Sequence, residues 1–68
     1  MTIGQRIKEL REERRVGLYQ MSKALKIDHS NLSKWEAEKH TPNIFYCMKL
    51  ADYFKITLDE FLRDVKEK

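Results

Sequence analysis

The chain has 68 residues, 41% of them hydrophobic and 37% charged, with a formal net charge of +3 and one cysteine, Cys47. That length allows one small domain with a thin core, a lone thiol excludes a disulfide framework, and no apolar run approaches the ~20 residues that a membrane span requires. The basic excess is concentrated: residues 1–27 carry seven Lys/Arg against three Asp/Glu, residues 28–41 two against three, and residues 42–68 five against five.

Two Gly and one Pro punctuate a sequence dominated by helix-forming residues, and no run alternates strictly between apolar and polar. The expected fold class is all-α, a compact bundle of five helices in a single domain spanning 1–68. The first helix is expected at about 3–14, where Ile3, Ile7 and Leu10 share a face and the chain breaks at Val16-Gly17. The second, about 18–25, buries Leu18, Met21, Ala24 and Leu25, and Ile27 fills the following turn. Asp28 is the natural N-cap of the third, about 29–37, by accepting from the amide of Ser30 or Asn31; its inward residues are Leu32, Trp35 and Glu36. Thr41-Pro42 reads as N-cap and first position of the fourth, about 42–54, with the inward stripe Ile44, Cys47, Met48, Ala51, Phe54. Thr57 and Glu60 form a capping box for the fifth, about 58–65, which buries Leu58, Phe61 and Leu62. The charged tail VKEK is expected to fray.

The stretch QMSKALKIDHSNLSKWE, residues 20–36, is therefore two short helices joined by a tight turn, and the second presents His29, Ser30, Asn31, Ser33 and Lys34 on its polar side. A helix enters the DNA major groove only when one face is packed and the other offers hydrogen bonds to base edges. His29 and Lys34 can donate to guanine acceptors; a solvated His at a helix start and a phosphate-facing or solvated Lys are the plainer alternatives. Trp35, spaced with Leu32, is a core residue rather than a base-stacking one. Arg6, Arg14, Arg15 and Lys23 are generic basic residues, some of which approach phosphate if this unit docks on DNA. Phe45, away from the apolar stripe, either marks a partner surface or is covered locally.

The segments IGQRIKELREERR, MSKALKIDHSNLSKWE and TPNIFYCMKLADYFKITLDEFL together resemble the Xre/Cro family of helix-turn-helix domains, the lambda-repressor-like fold of lambdoid phages, from about Ile3 to Leu62. The resemblance implies that the second and third helices form the reading unit, with His29, Ser30, Ser33 and Lys34 as base-contact candidates. It implies phosphate contacts from the backbone of Leu18 and Tyr19, from Lys26 and Asn31, and from Lys39, His40, Thr41 and Asn43. It also implies that Arg11 and Glu36 form an ion pair tying the first helix to the third.

The departures from the family pattern are specific. Gly17 and Leu18 stand where relatives carry Ser-Gln, so the side-chain contact to phosphate is lost and only amides and the helix dipole remain there. Lys26 and Lys55 replace glycines in turns, and Glu38 replaces a third; in a left-handed conformation such a residue costs on the order of 1 kcal/mol relative to Gly.

No nucleophile elbow, phosphate-cradling Gly loop or paired His/Cys metal spacing is present. Catalysis, a metal and a cofactor are therefore not expected; His29, His40 and Cys47 would meet at a metal only by accident of folding. MTIGQRIKEL lacks the apolar core of a secretory signal, and with the lone thiol this points to a cytoplasmic setting. The expected function is a sequence-specific DNA-binding transcriptional regulator, a repressor, binding a roughly palindromic operator on double-stranded DNA as a homodimer. The surface expected to pair lies around the fifth helix and its preceding loop, with Phe54, Ile56, Phe61 and Val65. Two other readings are an antitoxin that binds a protein partner through Phe45, Tyr46 or the fifth helix, and an interaction module without DNA activity.

Overall fold

The structure, a computed structural model, describes residues 1–65. Lys66, Glu67 and Lys68, the rest of the charged tail, lie outside the described residues. Five helices follow one another: α1 (Ile3–Glu13), α2 (Leu18–Leu25), α3 (His29–Glu36), α4 (Ile44–Tyr53) and α5 (Leu58–Leu62). No strand occurs among the described residues.

Each helix is built from local chemistry at its ends. Thr2 and Gln5 form a capping box on α1: the Thr2 Oγ1 accepts from the Gln5 amide at 3.2 Å and the Gln5 Oε1 accepts from the Thr2 amide at 2.8 Å. Thr57 and Glu60 do the same for α5. The start of α4 differs from expectation. Asn43, not Thr41, is its N-cap, accepting from the Tyr46 amide at 3.0 Å, and Pro42 lies before the helix rather than in it. Asn is the stronger cap, and this start leaves Pro42 buried against Cys47, one turn into the helix, as an apolar staple. Asp28 also departs from expectation. Its carboxylate accepts from the Ser30 hydroxyl at 3.0 Å and makes no bond to a helix amide.

Four of the helices end in the same way, through a residue in the left-handed region. Arg15, Lys26, Glu38 and Lys55 have φ of 55°, 56°, 63° and 60°. In each case the next amide reaches back five residues, as Val16 to the Arg11 carbonyl at 3.0 Å and Ile27 to the Ser22 carbonyl at 3.1 Å. This is the Schellman arrangement, normally given to Gly at the left-handed position. The residue that breaks α1 is thus Arg15, not Gly17: Gly17 is extended, with φ −73°. The expected helix ends shorten accordingly, to Glu13, Glu36, Tyr53 and, for α5, Leu62.

The core collects Ile7, Leu10, Met21, Leu25, Ile27, Leu32, Trp35, Cys47, Leu50, Ala51, Phe54 and Phe61. Ala24 is exposed, and Ser22 is buried in its stead with its hydroxyl donating to the Tyr19 carbonyl at 2.7 Å. On α4 the buried stripe is Cys47, Leu50, Ala51, Phe54; Ile44 and Met48, expected inside, are exposed. Both stripes have helical spacing and share three residues, so periodicity cannot separate them, and docking against α2 and α5 chooses the one that seats Leu50. Phe54 and Phe61, expected near a subunit contact, are wholly enclosed in this core. At Gly4, α1 passes close to α3: a Cβ there would run into the Trp35 carbonyl oxygen.

Arg6 of α1 and Arg14 at its C-cap reach across the bundle. Arg6 donates to the carbonyls of Phe61 and Glu60 at 3.1 and 3.0 Å, and Arg14 donates to the Phe54 carbonyl at 2.9 Å with its guanidinium over the Phe54 ring. Both satisfy carbonyls at helix C-termini, which have no partner within the helix. The guanidiniums of Arg6 and Arg14 are therefore engaged within the fold.

Candidate nucleic-acid interface

Helices α2 and α3, the expected reading unit, meet through a three-residue turn, Lys26-Ile27-Asp28. Ile27 fills it from inside the core while Lys26, held left-handed, is exposed. Leu32 and Trp35 seat α3 on the bundle, and Trp35 packs against Tyr46 of α4 with ring centroids 5.1 Å apart. Behind this contact, Arg11 Nε and Nη2 donate to the two Glu36 carboxylate oxygens at 2.8 and 3.0 Å, and Arg11 Nη1 donates to the Val16 carbonyl at 3.0 Å. The bonds to Glu36 raise the Arg11 pKa further above its ordinary value, against the opposing effect of burial. A forked, mostly buried pair fixes the rotation of α3 about its axis.

That rotation leaves His29, Ser30, Ser33 and Lys34 exposed, with Asn31 half-buried beside them. Because the Ser30 hydroxyl donates to Asp28, its oxygen remains available only as an acceptor. Asn31, Lys34, His40, Thr41 and Asn43 line one open cleft of about 440 Å³ between α3 and the start of α4, floored by Trp35, Pro42 and Tyr46. Three candidate positions from the loop before α4 are thereby joined to two from α3. The Asn43 Oδ1 is occupied by the Tyr46 amide, which leaves its side-chain NH₂ group as the free donor. Lys39 is exposed on the same loop, outside the cleft.

At the start of α2, Gly17 offers no side-chain acceptor to the first turn, so the amides around Leu18 and Tyr19 have no cap bond. The Leu18 side chain packs half-buried against the core. Tyr19 was expected to contribute through its backbone alone. Its side chain is 62% exposed, lies 5.9 Å from the His29 ring, and carries the Lys23 ammonium over its face at 5.0 Å. The signal in the sequence was its place, one turn before Lys23 on the outer face of α2; its apposition to His29 depends on how α2 crosses α3. Among the described residues no three His, Cys, Asp or Glu side chains are grouped as a metal site, and no helix is long and apolar enough to cross a membrane.

Comparison with known proteins agrees with this geometry. A family model described as a helix-turn-helix domain matches residues 4–67. A solved structure of a complex between SinR protein and SinI protein superposes with a TM-score of 0.84 at 28% identity, covering 93% of this chain; the chain spans 62% of that one. No curated protein matches. The family match extends over nearly the whole chain and includes both helices of the reading unit: the chain belongs to the helix-turn-helix domain family.

Proposed function

We propose that the protein is a sequence-specific transcriptional regulator of the Xre/Cro type, a repressor that binds a roughly palindromic operator as a homodimer in the cytoplasm, by stoichiometric binding rather than catalysis. The observation that carries this reading is the division of α3 into a buried side, Leu32 and Trp35, and an exposed polar side, His29, Ser30, Ser33 and Lys34. In the major groove Lys34 donates to guanine O6 or N7, and Ser30, its proton committed to Asp28, accepts from an exocyclic amine of adenine or cytosine. The uncapped amides of α2 and the positive end of its dipole take one phosphate. Lys26, Lys39 and the cleft donors of Asn31, His40, Thr41 and Asn43 take others. One eight-residue helix reaches only a few base pairs, so specificity requires two copies, with half-sites ~34 Å apart.

Selection of bound fragments from random DNA tests this. The protein should return a near-palindromic motif, and Lys34→Ala and His29→Ala should each change it. An unchanged motif for both variants removes these residues from base reading, and failure to bind any duplex at low salt overturns the regulator reading.

A further inference from the structure

The outer face of α4 is unpartnered. Phe45 is 73% exposed, Met48 53% and Ile44 50%, and Lys49 and Asp52 are exposed on the same side of the helix. Nothing in the core, the capping or the DNA-facing cleft uses Phe45, Met48, Lys49 or Asp52. Isolated apolar side chains on a surface are ordinary, but three within five residues on a helix of a protein this small form a patch.

We propose that this face is a self-association surface, on which α4 of a second copy packs antiparallel about a two-fold axis. The inference rests on the dimeric reading above and supplies the interface that Phe54 and Phe61, enclosed in the core, do not. The face is complementary to itself. A two-fold axis between Lys49 and Asp52 sets each of these charges opposite its counter-charge on the other copy, twice over. The same register lays Met48 alongside the C-terminal end of the other copy's α4, where Tyr53 is half-buried, and Phe45 beside the turn that follows it, where Ile56 is half-buried. A shift of one helical turn would instead press Phe45 onto Asp52, so the charges select the register. A partner of uniform charge, acidic or basic, would leave one member of the Lys49/Asp52 pair opposed by a like charge. A single ten-residue helix offers much less than the ~800 Å² per partner of a standard interface. The dimer is therefore weak in free solution and is completed on DNA, where two half-sites hold the copies together.

Sedimentation equilibrium of the full chain, up to about 1 mM, should show reversible dimerisation. Lys49→Asp or Asp52→Lys alone should weaken it by about tenfold or more, since each sets like charges face to face twice, and Lys49→Asp combined with Asp52→Lys should restore it. A protein that stays monomeric throughout, single charge changes without effect, or a double variant that does not recover overturns the proposal. Phe45→Glu, which alters an exposed residue and should melt like the wild type, adds a DNA arm. It should bind a half-site duplex as the wild type does and lose cooperative binding to the full palindrome. An equal loss on the half-site would mean that this face meets DNA, which also overturns the proposal. If the wild type binds neither duplex, the regulator reading fails by itself, and sedimentation still decides the interface.

Discussion

The Arg11–Glu36 pair sets the rotation of α3 and hence which side chains can meet a groove. Glu36→Gln keeps the shape but leaves Arg11 as a mostly buried cation without its counter-charge. The expected cost is about 3 kcal/mol, read as a lower midpoint in urea, with the selected DNA motif unchanged in whatever fraction remains folded. A changed motif at unchanged stability would place Glu36 against DNA. Tyr19 acts on the surface. Its ring packs near the exposed His29 and carries Lys23 over its face. Tyr19→Ala should weaken operator binding several-fold by releasing both, while Tyr19→Phe, which keeps the ring, should lose less. Fluorescence anisotropy on a labelled operator separates the two. Cys47 takes no part: burial raises its thiol pKa, so at neutral pH it is protonated as well as enclosed. Thiol-reactive dyes should label it only as fast as the domain opens.

The helices are secured at their ends by specific partners. Two capping boxes, an Asn cap and the Arg6 and Arg14 side chains satisfy terminal groups that would otherwise be orphaned. Against this, four Schellman turns place Arg, Lys, Glu and Lys where Gly is easiest. Lys26→Gly and Lys55→Gly should therefore each stabilise the domain by about 1 kcal/mol, raising the melting temperature by roughly 4–8 °C in a domain of this size. The two variants should part company on DNA. Lys26 is exposed in the turn of the reading unit, so its loss should lower the salt dependence by about one phosphate contact, whereas Lys55→Gly should leave it unchanged. Equal salt slopes for both would remove Lys26 from the phosphate-facing set.

For the molecule as a whole, fewer unengaged cations are left for DNA on the proposed reading than the total suggests. Three of the seven cations in residues 1–27, Arg6, Arg11 and Arg14, bond to carbonyls or to Glu36. On the proposed reading, affinity rests on a few lysines, amides and polar side chains, and the logarithm of the binding constant should fall with the logarithm of salt at a slope near −0.9 for each phosphate contacted by a cation. A slope large enough to require all seven would show that the internal bonds of Arg6 and Arg14 open on DNA. The core is equally thin. Trp35 connects α3 to α4 through Tyr46 and meets α1 at Gly4, so Trp35→Ala should cost about 3–5 kcal/mol, comparable to the whole stability of a small domain. Loss of the cooperative thermal transition is the expected readout.

Much of this was legible in the amino-acid sequence because it depends on neighbours in the chain. The five helices, the capping box of Thr57 and Glu60, the inward Leu32 and Trp35 and the polar side of α3 all follow from spacings of three or four residues, which a single helix fixes without reference to anything else. The start of α4 was misplaced because Thr41 and Asn43 both suit an N-cap, and only the burial of Pro42 against Cys47 chooses between them. The inward face of α4 was misassigned for a related reason: two stripes with the same period differ by a small rotation, and that rotation is set by α2 and α5. The commitment of Arg6 and Arg14 to distant carbonyls, the pairing of Tyr19 with His29 and the bare outer face at Phe45 and Met48 likewise join residues far apart in the chain or on different helices. Local periodicity determines which residues share a face; only the packing of one helix on another decides where that face points.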